Sequence, residues 1–347
     1  MTLTGLVRRR TASRPVTLAV TLSVAVLALA TLAGCGGGDD DGGGTEVGKQ
    51  GQQVANGATI DAVSPLTGQE LGGNTASRPV LAVKMDNSAA SAPQVGLGSA
   101  DLVTEELVEG GITRLAVFYQ SQMPGEVGPV RSMRATDIGI VQPLGAALVA
   151  SGAAPQTTAR IKDAGITTYV EGAPGFHRVT DRVAPYNLFV DLQELADTLL
   201  PAQPAPPFLP FGGDPLPKGV PARTLTATFS GASSSSFAYG GGHYENTDGN
   251  AAQADRFTPD TVLVLRVQVG DAGYRDPAGN PVPETHVVGS GPAMVFSGGR
   301  LVRAQWRKPK LDSGLTLEVA GKPVQLPPGR VWVELVPLRG GGVTVGR

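Results

Sequence analysis

The chain has 347 residues, a single cysteine, three histidines and a formal net charge of −2 at pH 7. This length is sufficient for two domains, and one cysteine excludes an intramolecular disulfide framework. Removing residues 1–34, which carry four arginines and no acidic residue, changes the charge to −2 − 4 = −6, which argues against nucleic-acid binding.

Residues 1–34 have the features of an export signal. Four arginines precede an apolar run at 16–30, which is shorter than the roughly 20 residues that a transmembrane helix needs. The run leads to Leu32-Ala33-Gly34-Cys35, which resembles a bacterial lipobox, where signal peptidase cuts before the cysteine and the sulfur receives a diacylglyceryl group. Cys35 is therefore the predicted lipidation site, and its acyl chains would anchor the protein on the outer face of the cytoplasmic membrane. The arginine run leaves both the Sec and the Tat export routes open.

Residues 35–60 follow the predicted cleavage site and are rich in glycine. Their composition is too polar to bury an apolar core, so we expect a flexible tether. The triplet Asp39-Asp40-Asp41 is interpreted as part of this solvated spacer rather than as a metal site.

Residues 64–200 are predicted to form an N-terminal domain of mixed helix and strand. Gly110-Gly111 separates two strand-like runs, 102–109 and 112–120, which is typical of a β-hairpin because paired glycines accept positive φ angles. A helix that begins at Ser99 and ends at Gly110 is the competing interpretation. The other predicted elements are strands at 80–86, 146–150 and 166–170, and helices at 132–141 and 157–163.

A proline-rich segment at 201–221 is predicted to link this domain to a second one, because eight prolines there preclude a regular helix or central strand. Residues 222–337 are almost wholly strand-like, and 338–347 are predicted to be a flexible tail. The expected strands are 261–269, 294–296, 301–306, 315–319 and 331–336. The predicted fold class is therefore α+β, with a mixed α/β N-terminal domain followed by a β-rich C-terminal domain.

Several short motifs, in this order, resemble a family of bacterial lipoproteins of unknown function that includes YerB. They are 64–68 (SPLTG), Arg78-Pro79 with Asp86-Asn87, 109–114 (EGGITR), 128–132 (GPVRS) with Arg134, 184–188 (APYNL) and 329–333 (GRVWV). The resemblance implies an α/β N-terminal region and a β-rich C-terminal region, and it implies no activity. The family often has histidine where this chain has Tyr186, so a role that needs an imidazole at that position is not carried over.

The segment 128–134 predicts an anion-binding cleft. A turn that leads into a helix capped by Ser132 would present free backbone N–H groups beside Arg131 and Arg134. The guanidinium fork suits phosphate or carboxylate, and Asp86-Asn87 at a strand end and Asn187 are candidates for the same cleft. The alternative is that either arginine forms a structural ion pair with Asp137 or Asp86.

The predicted hairpin carries a second group of candidate ligand-binding residues. With a two-residue turn, Arg114 would lie opposite Leu107 and diagonal to Glu105 and Glu109 on one face of the sheet. These side chains would form either a structural ion pair or a polar floor beneath a ligand.

Three functional hypotheses remain open. The first is a membrane-anchored, non-enzymatic lipoprotein that binds an anionic envelope ligand or a protein partner. The second is a hydrolase or transferase acting on cell-wall polymer through Asp86, Glu105 and Glu109. The third is a scaffold whose C-terminal domain docks a membrane protein. The histidines lack metal-ligand spacing and no dinucleotide or nucleophile motif occurs, so no metal, cofactor or catalytic residue is predicted.

Overall fold

The computed structural model describes residues 62–202 and 205–347, which lie in one compact unit. The predicted signal peptide, Cys35 and the tether at 35–60 lie outside the described residues. Within the described part of the chain, no helix has both the length and the apolar character needed to cross a bilayer.

Strands predominate over the described chain as a whole, and most of them lie in its second half, so the predicted α+β class is only partly confirmed. The first half contains β1 (Ala62–Val63), β2 (Glu70–Leu71), β3 (Leu81–Asp86), β4 (Leu102–Leu107), β5 (Thr113–Tyr119), α1 (Asp137–Val141), β6 (Ala147–Val149), α2 (Pro155–Asp163), β7 (Thr168–Tyr169), β8 (Phe176–Arg178), β9 (Leu188–Val190) and α3 (Leu192–Asp197). The second half contains β10 (Val220–Pro221), β11 (Thr224–Thr228), β12 (Ser234–Gly240), β13 (His243–Asn246), β14 (Thr261–Arg275), β15 (Pro281–His286), β16 (Gly289–Ser297), β17 (Arg300–Lys308), β18 (Thr316–Val319), β19 (Lys322–Val324), β20 (Val331–Pro337) and β21 (Gly342–Gly346).

A single 13-stranded sheet crosses both halves of the chain. Its order is β19-β18-β17-β16-β14-β20-β4-β5-β3-β6-β7. Outside this order, β10 pairs with β17 and β15 pairs with β14. The halves meet where β20 pairs in parallel with β4. Six strands of this sheet run in the same direction: β14, β20, β4, β3, β6 and β7. Neighbours in this series pair in parallel, except that β5 lies between β4 and β3 and is antiparallel to both. The two predicted domains therefore share one sheet.

Hydrophobic cores cover both faces of this sheet. One core joins Phe118 of β5 to Ile138 of α1 and Trp306 of β17. The other joins Val117 of β5 to Leu195 of α3 and to the smaller sheet β13-β12-β11-β21 through Phe237. Because successive side chains of a strand point to opposite faces, the central strands are apolar on both sides.

The predicted hairpin at 102–120 is confirmed, but its register was wrong. Residues 108–112 form the connection, in which Gly110 and Gly111 adopt φ angles of 72° and 74°. Arg114 consequently lies opposite Glu106 rather than opposite Leu107. A shift of one residue moves a side chain to the other face of a sheet, so Arg114 and Glu105 lie on opposite faces.

Two other local predictions were wrong. The helix predicted at 132–141 begins only at Asp137, because the Asp137 carboxylate itself accepts a hydrogen bond from the backbone N–H of Arg134, 2.6 Å away. Ser132 therefore caps no helix. Residues 342–346, within the predicted flexible tail, instead form β21, whose backbone pairs along the whole length of β11.

Gly139 of α1 generates a prediction about the packing of the two halves. A Cβ atom at this position would overlap the Val287 side chain and approach Leu311 Cδ2 to 3.0 Å. We expect Gly139→Ala to destabilise the protein by about 1–3 kcal/mol, because overpacking outweighs the gain in helix propensity of about 1 kcal/mol. Urea unfolding followed by circular dichroism measures the change.

The matched control is Gly72→Ala, since nothing lies within 4 Å of a Cβ atom there and φ is −77°. We expect this variant to stay within about 0.5 kcal/mol of the wild type. Equal stability of the two variants would contradict the close approach of α1 to Val287.

Candidate functional site

Polar side chains gather where β3, β4, β6 and β7 end, which we call the carboxyl edge of the sheet. Asp86 ends β3, Glu109 follows β4, Ser151 follows β6 and Glu171 follows β7. In open α/β sheets, ligands bind outside the carboxyl ends of such strands. The topology therefore brings several of the predicted site residues to one edge.

Arg131 lies between the ends of β3 and β6. Its backbone N–H donates to the Lys84 carbonyl at 2.8 Å, and its carbonyl accepts from Ser151 N–H at 3.0 Å. The side chain is 20% exposed, with Nε 3.4 Å from Asp86 Oδ2. The guanidinium carbon lies 5.3 Å from the centre of the Tyr186 ring, within the range of a cation–π contact.

Asp86 is buried and holds the turn that follows β3. One oxygen accepts hydrogen bonds from the backbone and hydroxyl of Ser88, and the other faces Arg131. The predicted alternative, a structural ion pair between Arg131 and Asp86, is thus present. At 3.4 Å it is longer than an ordinary charge-assisted hydrogen bond of about 2.7–2.9 Å, so Asp86 restrains Arg131 only loosely.

Arg134 and Arg114 are held by Glu109. Arg134 Nε donates to Glu109 Oε2 at 2.8 Å and a second Arg134 nitrogen pairs with Oε1, which completes a bidentate contact. Arg114 Nη2 lies 3.4 Å from Glu109 Oε1, and Arg114 Nη1 donates to the Ser132 carbonyl at 2.9 Å. Burial lowers the pKa of Arg114 to about 10, an effect to which the neighbouring Arg134 charge adds. Both arginines are therefore buried and engaged within the protein.

A fully buried lysine lies one row away on the same face of the sheet. Lys84 Nζ is 2.6 Å from Glu106 Oε1 and 2.7 Å from Asp137 Oδ1, and all three residues are 0% exposed. Burial raises the pKa of Glu106 to about 7, against the opposing effect of the Lys84 charge. This contact ties β3, β4 and α1 together.

The opposite face of the same strands carries a buried pair of carboxyl groups. Glu105 of β4 lies directly beside Glu334 of β20, and they are 1% and 0% exposed. Glu105 accepts hydrogen bonds from Asn87 Nδ2 at 3.0 Å and from Ser235 Oγ at 2.8 Å, whereas neither Glu334 oxygen has a partner among the described residues. Burial raises the pKa of Glu105 to about 7, and burial together with the Glu105 charge raises the pKa of Glu334 well above its usual value.

Asn187 lies next to the Arg131 contact but has its own partner. Its Oδ1 accepts a hydrogen bond from Arg178 Nη1 at 2.6 Å, and Arg178 also pairs with Glu171. The adjacent Tyr186 ring contacts the Arg131 guanidinium. Arg131 therefore contacts Asp86 on one side and the segment that contains Pro185 and Tyr186 on the other.

Sequence reasoning missed Lys84, Glu106 and Glu334 as members of buried charge clusters, and it gave Asp137 an arginine partner where the structure gives it Lys84. One signal was present: Lys84 interrupts an otherwise apolar strand. Another was the adjacency of Glu105 and Glu106, because two consecutive strand residues must point to opposite faces and one of them therefore points inward. Across 62–202 and 205–347, no group of three or more His, Cys, Asp or Glu residues is arranged to hold a metal ion.

Glu334 generates a prediction of pH-dependent stability. Its pKa is raised in the folded state, so keeping it protonated costs nothing below the unfolded pKa of about 4.5, and the fold loses stability increasingly as the pH rises above that value. We expect Glu334→Gln to match the wild type near pH 4.5 and to be more stable by about 1–3 kcal/mol near pH 8. Urea unfolding across this pH range measures the difference.

Glu109→Gln is the contrasting variant, because contacts with Arg134 and Arg114 lower the pKa of Glu109 to about 2 against the opposing effect of burial. The stabilisation from Glu109 is present above pH 4.5 and is lost as the pH falls towards 2. This variant should be less stable at neutral pH and should approach the wild type in acid. A Glu334→Gln variant that is less stable than the wild type at pH 8 would show that the ionised carboxylate is stabilised there.

Comparison with known proteins identifies the family. Residues 66–203 match the N-terminal domain, and residues 225–333 the C-terminal domain, of the "Protein of unknown function (DUF3048)". The chain is 24% identical over 293 residues to "Putative lipoprotein YerB" of Bacillus subtilis (strain 168), covering 79% of this chain and 86% of that protein. The crystal structure of YerB protein from Bacillus subtilis superposes with a TM-score of 0.69 at 20% identity, over 82% of this chain and 99% of that one. The chain therefore belongs to the DUF3048 family of proteins of unknown function, together with YerB.

Proposed function

We propose that this protein is a lipoprotein anchored to the cytoplasmic membrane that binds an anionic group at the carboxyl edge of its sheet. The sequence supports the anchor through an apolar leader that ends at Cys35, and the relative from Bacillus subtilis is named as a lipoprotein. The anchor would keep the binding site in the cell envelope, where its ligand or partner must be found.

Arg131 is the observation that carries the binding proposal. Its backbone is fixed between two strand ends, its side chain is partly exposed, and its contact with Asp86 is long. An anion that carries two oxygens can therefore approach the guanidinium without breaking a short ion pair. A phosphate or carboxylate group suits the planar fork of an arginine.

The other predicted ligand-binding residues take different parts in this proposal. Asp86 and the Tyr186 ring border the Arg131 guanidinium, and Asn187 holds the neighbouring segment through its hydrogen bond with Arg178. The other candidates hold the surrounding strand ends in place; these are Asn87, Glu105, Glu109, Arg114 and Arg134. Charges in the buried network are balanced, since Lys84 and three arginines face four carboxylates: Asp86, Glu106, Glu109 and Asp137. An incoming anion would thus meet Arg131 as the most accessible cation of this network.

The geometry gives less support to a cell-wall hydrolase or transferase. That hypothesis needs two accessible carboxylates separated by a cleft, whereas Asp86 and Glu105 are 2% and 1% exposed. Glu109 is held in a bidentate contact with Arg134. A scaffold that docks a membrane protein stays a prediction, and crosslinking in intact cells distinguishes it from anion binding.

Arg131→Gln tests the anion site. We expect glycerol phosphate to raise the melting temperature of the wild-type protein, by roughly 2–4 °C for each kcal/mol that the bound ligand adds to the free energy of unfolding, and glycerol to have no effect. Arg131→Gln should abolish the shift, whereas Arg223→Gln, which replaces an exposed arginine elsewhere, should retain it. Fluorescence-monitored melting gives the measurement. If the Arg131 variant keeps the full shift, or if neither phosphate nor carboxylate ligands shift the wild type, the proposed site is wrong.

Cys35→Ser tests the anchor. We expect the wild-type protein to incorporate labelled palmitate and to sediment with the membranes, because the Cys35 sulfur carries the diacylglyceryl group that bears the acyl chains. The serine variant should incorporate no label, and Gly37→Ala serves as a control that leaves the cysteine in place. Intact-mass measurement of an unmodified, uncleaved wild-type chain in the cytosol would contradict the proposal.

A further inference from the structure

A cleft of about 670 Å³ lies at the β7 end of the large sheet, where no predicted site residue lies. We call it the β7 cleft; its walls include Arg78, Val80, Gln120, Leu144, Tyr169 and Leu200. The volume falls within the range of about 300–1,000 Å³ that is usual for small-molecule sites. Such sites combine an apolar wall with a few fixed polar groups, and the β7 cleft has both.

Gln120 supplies a buried hydrogen-bond acceptor. Its side-chain Nε2 donates to the Arg78 carbonyl at 3.3 Å, and this contact fixes the orientation of the amide because a carbonyl can only accept. The other amide atom, Oε1, is buried and has no partner among the described residues. An unsatisfied buried acceptor costs free energy, and a ligand N–H would satisfy it.

Arg78 supplies a cation next to this acceptor. Nη1 donates to the Ser121 carbonyl at 2.9 Å, and the side chain is exposed. No ion pair joins Arg78 to a carboxylate in the described part of the chain. The remaining guanidinium N–H groups are thus available to a ligand carboxylate, which accepts two parallel hydrogen bonds.

Apolar side chains complete the cleft. Val80 and Leu144, 5% and 2% exposed, form part of its floor, and Leu200 stands at the rim with 87% of its surface exposed. Burial of hydrocarbon against these side chains would contribute to binding through the hydrophobic effect.

We propose that the β7 cleft binds a small amphipathic carboxylate that carries an N–H group beside its acid, of which an N-acylated amino acid is the simplest example. The carboxylate contacts Arg78, the N–H donates to Gln120 Oε1, and the acyl chain lies against Val80, Leu144 and Leu200. Gln120 Nε2 donates to the Arg78 carbonyl and Arg78 Nη1 donates to the carbonyl of Ser121, the residue after Gln120, so the two side chains lie close together, as the adjacent acid and amide of such a ligand require. This site is separate from Arg131 and does not depend on the anion site proposed above.

Titration calorimetry with N-octanoylglycine tests the proposal, with two probes that each lack one recognised group. The methyl ester of N-octanoylglycine lacks the charge, and decanoic acid lacks the N–H group. We expect saturable binding of N-octanoylglycine at one site and binding at least about tenfold weaker for each of the other probes, because each loses a hydrogen bond to a charged or buried partner. The protein without its predicted leader, residues 35–347 with Cys35→Ser, contains the whole compact unit and is the sample for these titrations.

Variants assign the binding to the cleft. Arg78→Gln should weaken binding of N-octanoylglycine about tenfold or more without changing that of the ester, and it alters an exposed side chain. Gln120→Met should reduce the affinity for N-octanoylglycine to that for decanoic acid, and a melting curve checks that this variant folds. Arg223→Gln and Arg131→Gln should bind as the wild type does. Absence of saturable binding, equal affinity for acid and ester, or an unchanged affinity in Arg78→Gln would each overturn the proposal.

Discussion

The parallel pairing of β4 with β20 is the constraint on which the rest of the structure depends. Residues 102–105 pair with residues 331–334, at the point where the second family region ends at residue 333. Because β14 continues the sheet on one side and β5 on the other, each hydrophobic core draws residues from both regions. The same pairing sets Glu334 beside Glu105 in the buried interior. The two regions recognised in the family are thus distinct in sequence but share one sheet.

Charge balance in the interior is the second constraint. Taking an ion out of water is costly unless it is paired, and the buried ions of β3, β4 and the segment before α1 pair with one another. Lys84 lies between two carboxylates, and Glu109 lies between two arginines. Most of these charges therefore maintain the positions of the strand ends. Arg131, partly exposed and loosely held, is the exception that suits recognition.

Much of the secondary structure could be predicted from the sequence, because apolar runs and glycine pairs depend on local chemistry. The β4–β5 hairpin and the strands of the second half follow from such patterns. The register of the hairpin could not be predicted, since residues 108–112 rather than two glycines form the turn. The start of α1 depends on a hydrogen bond from the backbone of Arg134 to Asp137, and β21 forms only because β11 offers a partner.

Less of the candidate site could be predicted from the sequence, because its contacts join residues that are distant in the chain. Asp86 and Arg131 lie 45 positions apart in the chain (131 − 86), and their contact was one of two alternatives that the sequence left open. Which arginine is exposed and which is buried depends on the face that each strand residue occupies. That face follows from the register, so a one-residue error in the hairpin misplaced Arg114 relative to Glu105.

The two ends of the long sheet limit how the protein can associate with other chains. An open strand edge exposes unpaired N–H and C=O groups, to which a foreign strand can add. At one end, β19 has three residues, including Lys322 and Pro323; at the other end, β7 has only two. A short edge offers few hydrogen bonds, proline lacks the N–H donor, and an exposed lysine disfavours a close apolar neighbour. These two ends of the 13-stranded sheet thereby resist the edge-to-edge addition of a second chain.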